Sequence, residues 1–423
     1  MSTVVEHVAC PFCGCLCDDI AVEVEGARIV KVKRACSSGQ GIFMDYDPQP
    51  RRPLVEGEEV EWDAAVSAAA DILRAADSPL IYGLSSSASE AQRKAVELAD
   101  RIGAIVDSTS SVCHGPTGLA MQAVGEPTCT LGEVRDRADL LVFWGCNPDQ
   151  SHLRHFARYS LNAKGAQTPN GRADRTMYAV DVRETGTAKK ADRFLQVDPG
   201  CDYEVLSALR LLVQGGEPEG ETVGGVPVAD LKELVERLKT CRYGLFFMGM
   251  GLTMTAARQL NVAELFTLVA ELNEYAKCAV IPMRGHGNVT GADQVLTWTS
   301  GYPFAVSYAR GYPQFSPGEF TAVDMLARRA ADAAVILASD PGAHFPRPAA
   351  AHLERIPTIV LDHGPSVTAS HATVLFPTAA YGVDAAGTAY RMDNVPIPLS
   401  QVIETGRPTD EEVLGRLIEA VRT

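Results

Sequence analysis

The chain has 423 residues, 46% hydrophobic and 22% charged, a globular composition too long for one ordinary core. Its formal net charge of −15 excludes a phosphate-backbone binder, which needs a basic face. No uninterrupted apolar run of about 18 residues occurs, so no membrane span is expected. The start, MSTVVEHVAC, lacks the basic and apolar regions of a secretory signal. The eleven cysteines do not form a secreted disulfide framework, so a reducing cytoplasm is the expected setting.

In chain order, four cysteines come first: Cys10, Cys13, Cys17 and Cys36, spaced C-x2-C-x3-C-x18-C. Three close thiolates and one distant one suit a four-iron four-sulfur cluster, which takes one sulfur ligand per iron. Structural zinc also takes four thiolates, usually from two short CxxC knuckles. Cys15 is an extra thiol in the loop that could replace Cys13 or Cys17. Between Cys17 and Cys36, IAVEVEGARIVKVKR alternates like a hairpin with Gly26 near its turn. Residues 1–54 therefore read as a small β-rich cap with its cysteines on loops. The proline-rich stretch 48–59 leads out of it.

From Asp63 the pattern becomes α/β. WDAAVSAAADILRAA and ASEAQRKAVELADRIGA read as helices around the strand SPLIYGL, with IVDST as the next strand. That is a strand–helix–strand unit of a parallel sheet. Further buried strands are predicted at 140–145, 177–182, 244–251, 278–283, 333–339, 357–362 and 372–377. Residues 217–227 read as a surface loop. Many strands end in Gly, Asn, Asp or Ser. Ligands of open parallel sheets bind at the carboxyl ends of strands, so WGCNPDQS, DVRETGT, MGMGLT, PMRGHGNV and ASDPGAHFPR are the candidate contact points.

Cys113, in STSSVCHGPTG, is a candidate nucleophile or soft-metal ligand, set against the common fate of a buried inert thiol. His152 and His155 in WGCNPDQSHLRHFARYS are three apart and share a helix face. A metal pair is one reading. A solvated or phosphate-facing helix end, with Asn147 at the turn, is the expected one. Arg284 and His286 lie among glycines at a strand end, where an arginine suits a carboxylate or phosphate. Asp181, Arg183, Asp198 and Asp202 follow another strand, where acids commonly accept from ribose or heterocycle donors. No dinucleotide fingerprint follows the early strands and no P-loop is present.

Together CPFCG-C-LCDDI, SSVCHGP, WGCNP…SHxRHxxRYS, PMRGHGNV, GYPFAVSYARGYP, SDPGAHFPR and GTAYRMDNVP resemble the B-subunit of formylmethanofuran dehydrogenase, over nearly the whole chain. The wider group is the bis-pterin molybdenum and tungsten enzymes. The resemblance implies that Cys10, Cys13, Cys17 and Cys36 hold a 4Fe-4S cluster and that Cys113 ligates molybdenum or tungsten. It implies that His114 and Arg284 line the one-carbon site, Arg284 neutralising a carboxylate and His114 helping to move the proton. Asn147, Asp181, Arg183, Asp198 and Asp202 would contact the pterin nucleotide of a molybdopterin-type bis-pterin. The implied function is interconversion of CO2/formate and formyl-carrier units by two-electron redox. The alternative is a structural subunit of a bacterial formyltransferase/hydrolase complex that releases formate. Implied partners are an amidohydrolase-like subunit, a C-subunit and a separate barrel-domain D-subunit.

The expected fold is α/β: an iron–sulfur domain at 1–54 and two Rossmann-like parallel-sheet domains of the molybdopterin oxidoreductase type, without a C-terminal barrel domain. One of these is built from 55–111 and 290–423, the other from 112–289.

Overall fold

The computed structural model describes residues 2–422. They form two compact units, one from the chain up to residue 111 together with residues from 286 onward, the other from residues 112–285.

The first unit opens with an antiparallel sheet of β1 (Thr3–Val8), β2 (Ile20–Glu25) and β3 (Arg28–Lys33), in that order. The β2–β3 hairpin turns at Gly26, as the alternation predicts. Helix α1 (Ser37–Met44) follows, and Cys36 caps it by accepting from Gly39 N at 3.4 Å. The segment read as an exit carries a hairpin, β4 (Leu54–Val55) and β5 (Glu58–Glu59). Helix α2 (Trp62–Ala75), β6 (Pro79–Gly83), α3 (Ser89–Ile102) and β7 (Ile105–Ser108) then alternate as expected.

The second unit begins with α4 (Gly115–Val124). Its strands are β8 (Leu140–Trp144), β9 (Thr176–Asp181), β10 (Arg193–Gln196), β11 (Thr222–Val223), β12 (Val226–Pro227), β13 (Tyr243–Met248) and β14 (Lys277–Pro282). The predicted loop 217–227 thus contains a hairpin of two-residue strands, β11–β12. The other five strands pair in the order β10-β9-β8-β13-β14, all parallel. Chain order reverses between β8 and β13, which is the switch point of a doubly wound sheet. On one face Leu140, Val142, Trp144, Phe246, Met248 and Val280 pack against helices 202–213, 228–240 and 259–272. On the other, Phe143 and Phe247 stack with ring centroids 4.8 Å apart.

The chain then returns to the first unit with β15 (Val306–Ser307), β16 (Gln314–Phe315), β17 (Ala333–Leu337), β18 (Thr358–Asp362), β19 (Val374–Pro377), β20 (Gly387–Tyr390) and β21 (Pro396–Leu399). Nine strands share one sheet, β16-β15-β7-β6-β17-β18-β19-β4-β5. Its centre, β7 to β19, is parallel, and antiparallel strands close both edges. Side chains alternate across it: Ile81, Val106 and Val335 face α2, α3 and helix 410–420, whereas Leu80, Tyr82 and Ile336 face the opposite layer. Among the described residues no helix is long and apolar enough to cross a membrane.

Both switch points are closed by glycine. A Cβ on Gly83, at φ +117°, would lie 2.1 Å from Leu337 O. One on Gly145, at φ +57°, would lie 2.7 Å from Leu252 N and 2.9 Å from the Gly251 Cα. Gly145→Ala therefore combines a clash with left-handed strain and is expected to destabilise its unit by about 2–4 kcal/mol. Gly415 sits inside helix 410–420, and a Cβ added there would meet nothing within 4 Å. Gly415→Ala should therefore stabilise by about 0.5–1 kcal/mol. Chemical denaturation of the two variants checks the opposite signs.

Candidate functional site

The carboxyl edge of the second unit's sheet collects most of the residues singled out in the sequence. Asn147 follows β8, Asp181 ends β9 with Arg183 just beyond, Asp198 follows β10, and Arg284 follows β14. Asp202 opens the helix after β10. Asn147 Oδ1 accepts from Thr187 N at 3.1 Å and Thr187 Oγ1 at 2.8 Å, which ties the β8 end to the loop after β9. Asp181 is half-buried, and burial raises its carboxyl above the usual range. Arg183 and Asp198 are exposed. Asp202 is buried; its Oδ1 accepts from Trp144 Nε1 at 2.8 Å, and its Oδ2 has no protein partner. Burial also raises the Asp202 carboxyl. A buried acceptor without a donor is costly unless a ligand or water meets it.

Cys113, His114 and Arg284 lie in the same unit. Cys113 precedes α4, and its carbonyl accepts from Thr253 Oγ1 at 2.8 Å, so the glycine-rich tip after β13 braces the cysteine turn. His114 is buried. Its Nε2 is 3.3 Å from Met283 O and its Nδ1 is 3.3 Å from Thr117 Oγ1. A carbonyl only accepts, so the network assigns the proton to Nε2 and leaves Nδ1 to accept from Thr117. Burial, and then the Arg284 charge, lower the imidazole pKa to about 3, so it is neutral. A base this weak orients better than it accepts protons. Arg284 itself is buried, and Met283 N donates to Met248 O at 2.7 Å, anchoring the end of β14 on β13.

Neither reading of the His152 and His155 pair holds. The two do not share a continuous helix, because the single turns at Pro148–Ser151 and His155–Arg158 are separate. Both are buried, and neither forms part of a three-residue metal-ligand group among the described residues. His152 Nε2 lies 2.9 Å from Arg284 O. His155 packs edge-on against Phe247, centroids 4.6 Å apart, and Ser160 Oγ is 3.0 Å from its Nδ1. Its Nε2 has no partner. The fold also brings in Glu126, a half-buried carboxyl that burial raises to about 7 while Arg284 pulls it down. Nothing in VGEPT marks it, because its charged neighbour lies 158 positions along the chain.

The N-terminal cysteines gather in the first unit. Cys10 N donates to Cys17 O at 2.9 Å and Leu16 N to Cys13 O at 3.0 Å, closing the loop on itself. Leu16 packs with Ala9, Tyr381, Ala389 and Leu399, so β20–β21 backs the loop. Burial pushes the Cys10 thiol up, and the Cys13, Cys17 and Cys36 sulfurs push it the same way. A Cβ on Gly39 would lie 3.0 Å from Cys10 Sγ, so a side chain there would press on that sulfur, while Cys36 Sγ at 3.7 Å would be in ordinary contact. Cys15 is buried and hydrogen-bonded to Cys13, which holds Cys13 below the usual thiol range and Cys15 above it. His286, a sequence neighbour of Arg284, belongs to this unit, where it pairs with Cys13 as a β-bridge and lies 3.3 Å from Thr109 Oγ1. Asp340, in the tip ASDPGAHFPR, commits its carboxylate to Val367 N, Thr368 N and Thr368 Oγ1 at 2.7–3.1 Å.

No protein-family model matches the chain. Acetylene hydratase from Pelobacter acetylenicus superposes with a TM-score of 0.73 at 13% identity, over 99% of this chain and 69% of that one, a likeness of fold. A chain of the formyltransferase/hydrolase complex FhcABCD from Methylorubrum extorquens, solved with methylofuran, superposes with a TM-score of 0.72 at 27% identity, over 88% of this chain and 98% of that one. The class is thus a mixed α/β protein with parallel sheets, sharing its fold with these two. The B-subunit of tungsten-containing formylmethanofuran dehydrogenase 2 from Methanocaldococcus jannaschii is 46% identical over 432 aligned positions, covering 100% of this chain and 99% of that one. The chain belongs to the family of formylmethanofuran dehydrogenase B-subunits.

The buried His155 makes a measurable pH signature. Burial lowers its pKa from 6.5 to about 3. Below 6.5 the unfolded chain takes up a proton that the folded chain refuses, so this residue's contribution is present above 6.5 and is lost as pH falls toward 3. Asp107 and Glu126, both raised to about 7, run the opposite way, so the difference between variant and parent is the quantity to read. His155→Phe should be most costly at pH 7–8, and its cost should shrink by about 1 kcal/mol per pH unit below 6.5. Urea denaturation of both proteins from pH 8 to pH 5 checks this; a constant difference would show that His155 is not held neutral.

Proposed function

We propose that the chain is the redox subunit of a formylmethanofuran dehydrogenase-type complex that interconverts CO2 or formate with a formyl group on a C1 carrier. The observation that carries this reading is the grouping of Cys113, neutral His114 and Arg284 in the unit whose strand ends also present Asn147, Asp181 and the half-satisfied Asp202. The cofactors are a tungsten- or molybdenum-bearing bis-pterin and a 4Fe-4S cluster; the first supplies two-electron exchange with the one-carbon unit and the second passes electrons singly.

The residues present fit both groups. Asp202 Oδ2 is a buried acceptor in want of a donor, which the ring N–H and amino groups of a pterin nucleotide's base carry. Asp181, Asp198, Arg183 and Asn147 complete a polar rim along the same edge. Cys113 offers the soft thiolate ligand. For the cluster, the Cys13, Cys17 and Cys36 sulfurs lie near enough to raise the Cys10 thiol, four sulfurs in one N-terminal group. Zinc needs its four sulfurs on one ion, at about 2.3 Å each, whereas a cubane takes one sulfur on each of four irons.

Oxidation of formate to CO2 releases two electrons and one proton. Arg284 holds the substrate carboxylate and offsets its charge in a site shielded from water, where such an interaction is strong. His114, with its proton committed to Met283 O, keeps the strand end that carries Arg284 in place. The partners of this reading are the remaining subunits: an amidohydrolase-like chain, a C-subunit and a barrel-domain D-subunit. The exposed Arg183 and Asp198 leave room for other chains or ligand on that edge.

The complex purified without oxygen should contain iron with tungsten or molybdenum and should reduce a viologen dye with formate. Cys113→Ser should lower that activity more than about 100-fold with little change in melting temperature. Surviving formate-linked electron transfer would remove Cys113 as the metal ligand. Cys36→Ala should lose cluster iron; unchanged iron would reject the cluster assignment. A metal-free complex that still hydrolyses a formylated carrier would favour the non-redox subunit instead.

A further inference from the structure

Two histidines from separate elements hold the backbone that carries Arg284. His114, at the start of α4, meets Met283 O at 3.3 Å, and His152, from the short helical segment after β8, meets Arg284 O at 2.9 Å. Consecutive carbonyls of one strand end are thus each met by an imidazole. His114 neighbours the candidate ligand Cys113, so its bond is explained by the site already described. His152 is not. It is 3% exposed and lies far from Cys113 in sequence, in a stretch whose residue types suggest a solvated helix end.

Its own geometry is prepared for one task. The carbonyl of Arg284 can only accept, so Nε2 carries the ring proton and Nδ1 accepts. Ser151 Oγ lies 2.8 Å from that Nδ1 and so supports the tautomer. Burial lowers the imidazole pKa, which keeps the ring uncharged. Ser151 has one hydroxyl proton, and with Nδ1 as its acceptor the 3.1 Å approach of Ser151 Oγ to Asn147 O is a close contact and not a second hydrogen bond. The Arg284 amide is likewise engaged, donating to Pro282 O at 2.9 Å in a tight turn. With its N–H and its C=O both fixed, the arginine's backbone has little freedom.

We propose that His152 is a positioning residue for Arg284, setting where the guanidinium stands relative to the one-carbon substrate. This rests on the reading of Arg284 as the carboxylate-holding group. A misplacement of about 1 Å at such a group can cost about 100-fold in rate, so a single buried hydrogen bond to its backbone is an effective point of control. Gln at position 152 retains an N–H donor of similar reach, whereas Phe keeps the ring volume and loses the donor.

The test uses the assembled complex carrying His152→Phe, His152→Gln or the parent residue, with two readouts. Amide hydrogen exchange at Met283–Arg284 reports the clamp without reference to activity. Formate kinetics report its consequence. Exchange at those amides should rise about tenfold or more in His152→Phe and return to within a few-fold of parent in His152→Gln. Formate kcat/KM should fall about 10- to 100-fold in His152→Phe with a raised KM, and recover with Gln. Unchanged exchange in His152→Phe overturns the clamp itself. Raised exchange with unchanged formate kinetics overturns the positioning role alone; the reading of Arg284 is tested separately by Arg284→Ala, which should lose formate kcat/KM whether or not His152 positions it. If His152→Phe does not assemble, His152→Met, which also removes the ring donor, makes the same test: exchange at Arg284 rises, or the inference falls.

Discussion

The structure depends on two places where strand ends come closer than a side chain permits. Between β6 and β17, Gly83 lies against Leu337 O; between β8 and β13, Gly145 lies against Gly251. Both are points where the chain order of the strands reverses, the place where open parallel sheets bind ligands. In the second unit everything chemical follows from that closure. Gly145 N donates to Val180 O and Gly249 N to Trp144 O, so the three strand ends β9, β8 and β13 are locked together. Asn147, Asp181 and Asp202 then stand along one edge, and Thr253, just past β13, reaches the Cys113 carbonyl.

The main strands are legible because each is a short apolar run ended by a glycine or polar residue, and parallel strands buried on both faces have that signature. AAVILAS and LLVFWG are examples, and their pairing in parallel sheets agrees with the helices between them. The strands without a sequence signal are of a different kind. In β1 only Val8 is buried, so TVVEHV carries no core pattern, while β4, β5, β11 and β12 are two-residue pairs defined by their turns. Residue types at strand ends point to the right edge, but not to the state of each side chain. SHLRHFARYS reads as solvated because polar and cationic residues recur along it; tertiary packing against Phe143 and Phe247 buries His155 instead. The Trp144–Asp202 bond, across 58 positions, has no sequence signal at all.

The N-terminal cysteines show the same division. Their spacing leaves iron–sulfur and zinc both open. In the fold, their sulfurs sense one another, Cys15 takes the role of donor to Cys13, and Gly39 leaves room beside Cys10 Sγ. The pair of neutral histidines on Met283 and Arg284 makes a related point. A charge placed in a buried site is useful only if its backbone cannot drift, and uncharged donors fix that backbone without adding a second cation beside the first.

The most direct test of the central claim is anomalous diffraction at the tungsten and molybdenum edges from crystals of the anaerobically prepared complex. The account predicts a single heavy-metal peak within bonding distance of Cys113 Sγ, at the carboxyl edge of the β10-β9-β8-β13-β14 sheet. A fully assembled complex with formate-linked activity and no such peak at Cys113, or with the peak on other residues of this chain, would contradict it.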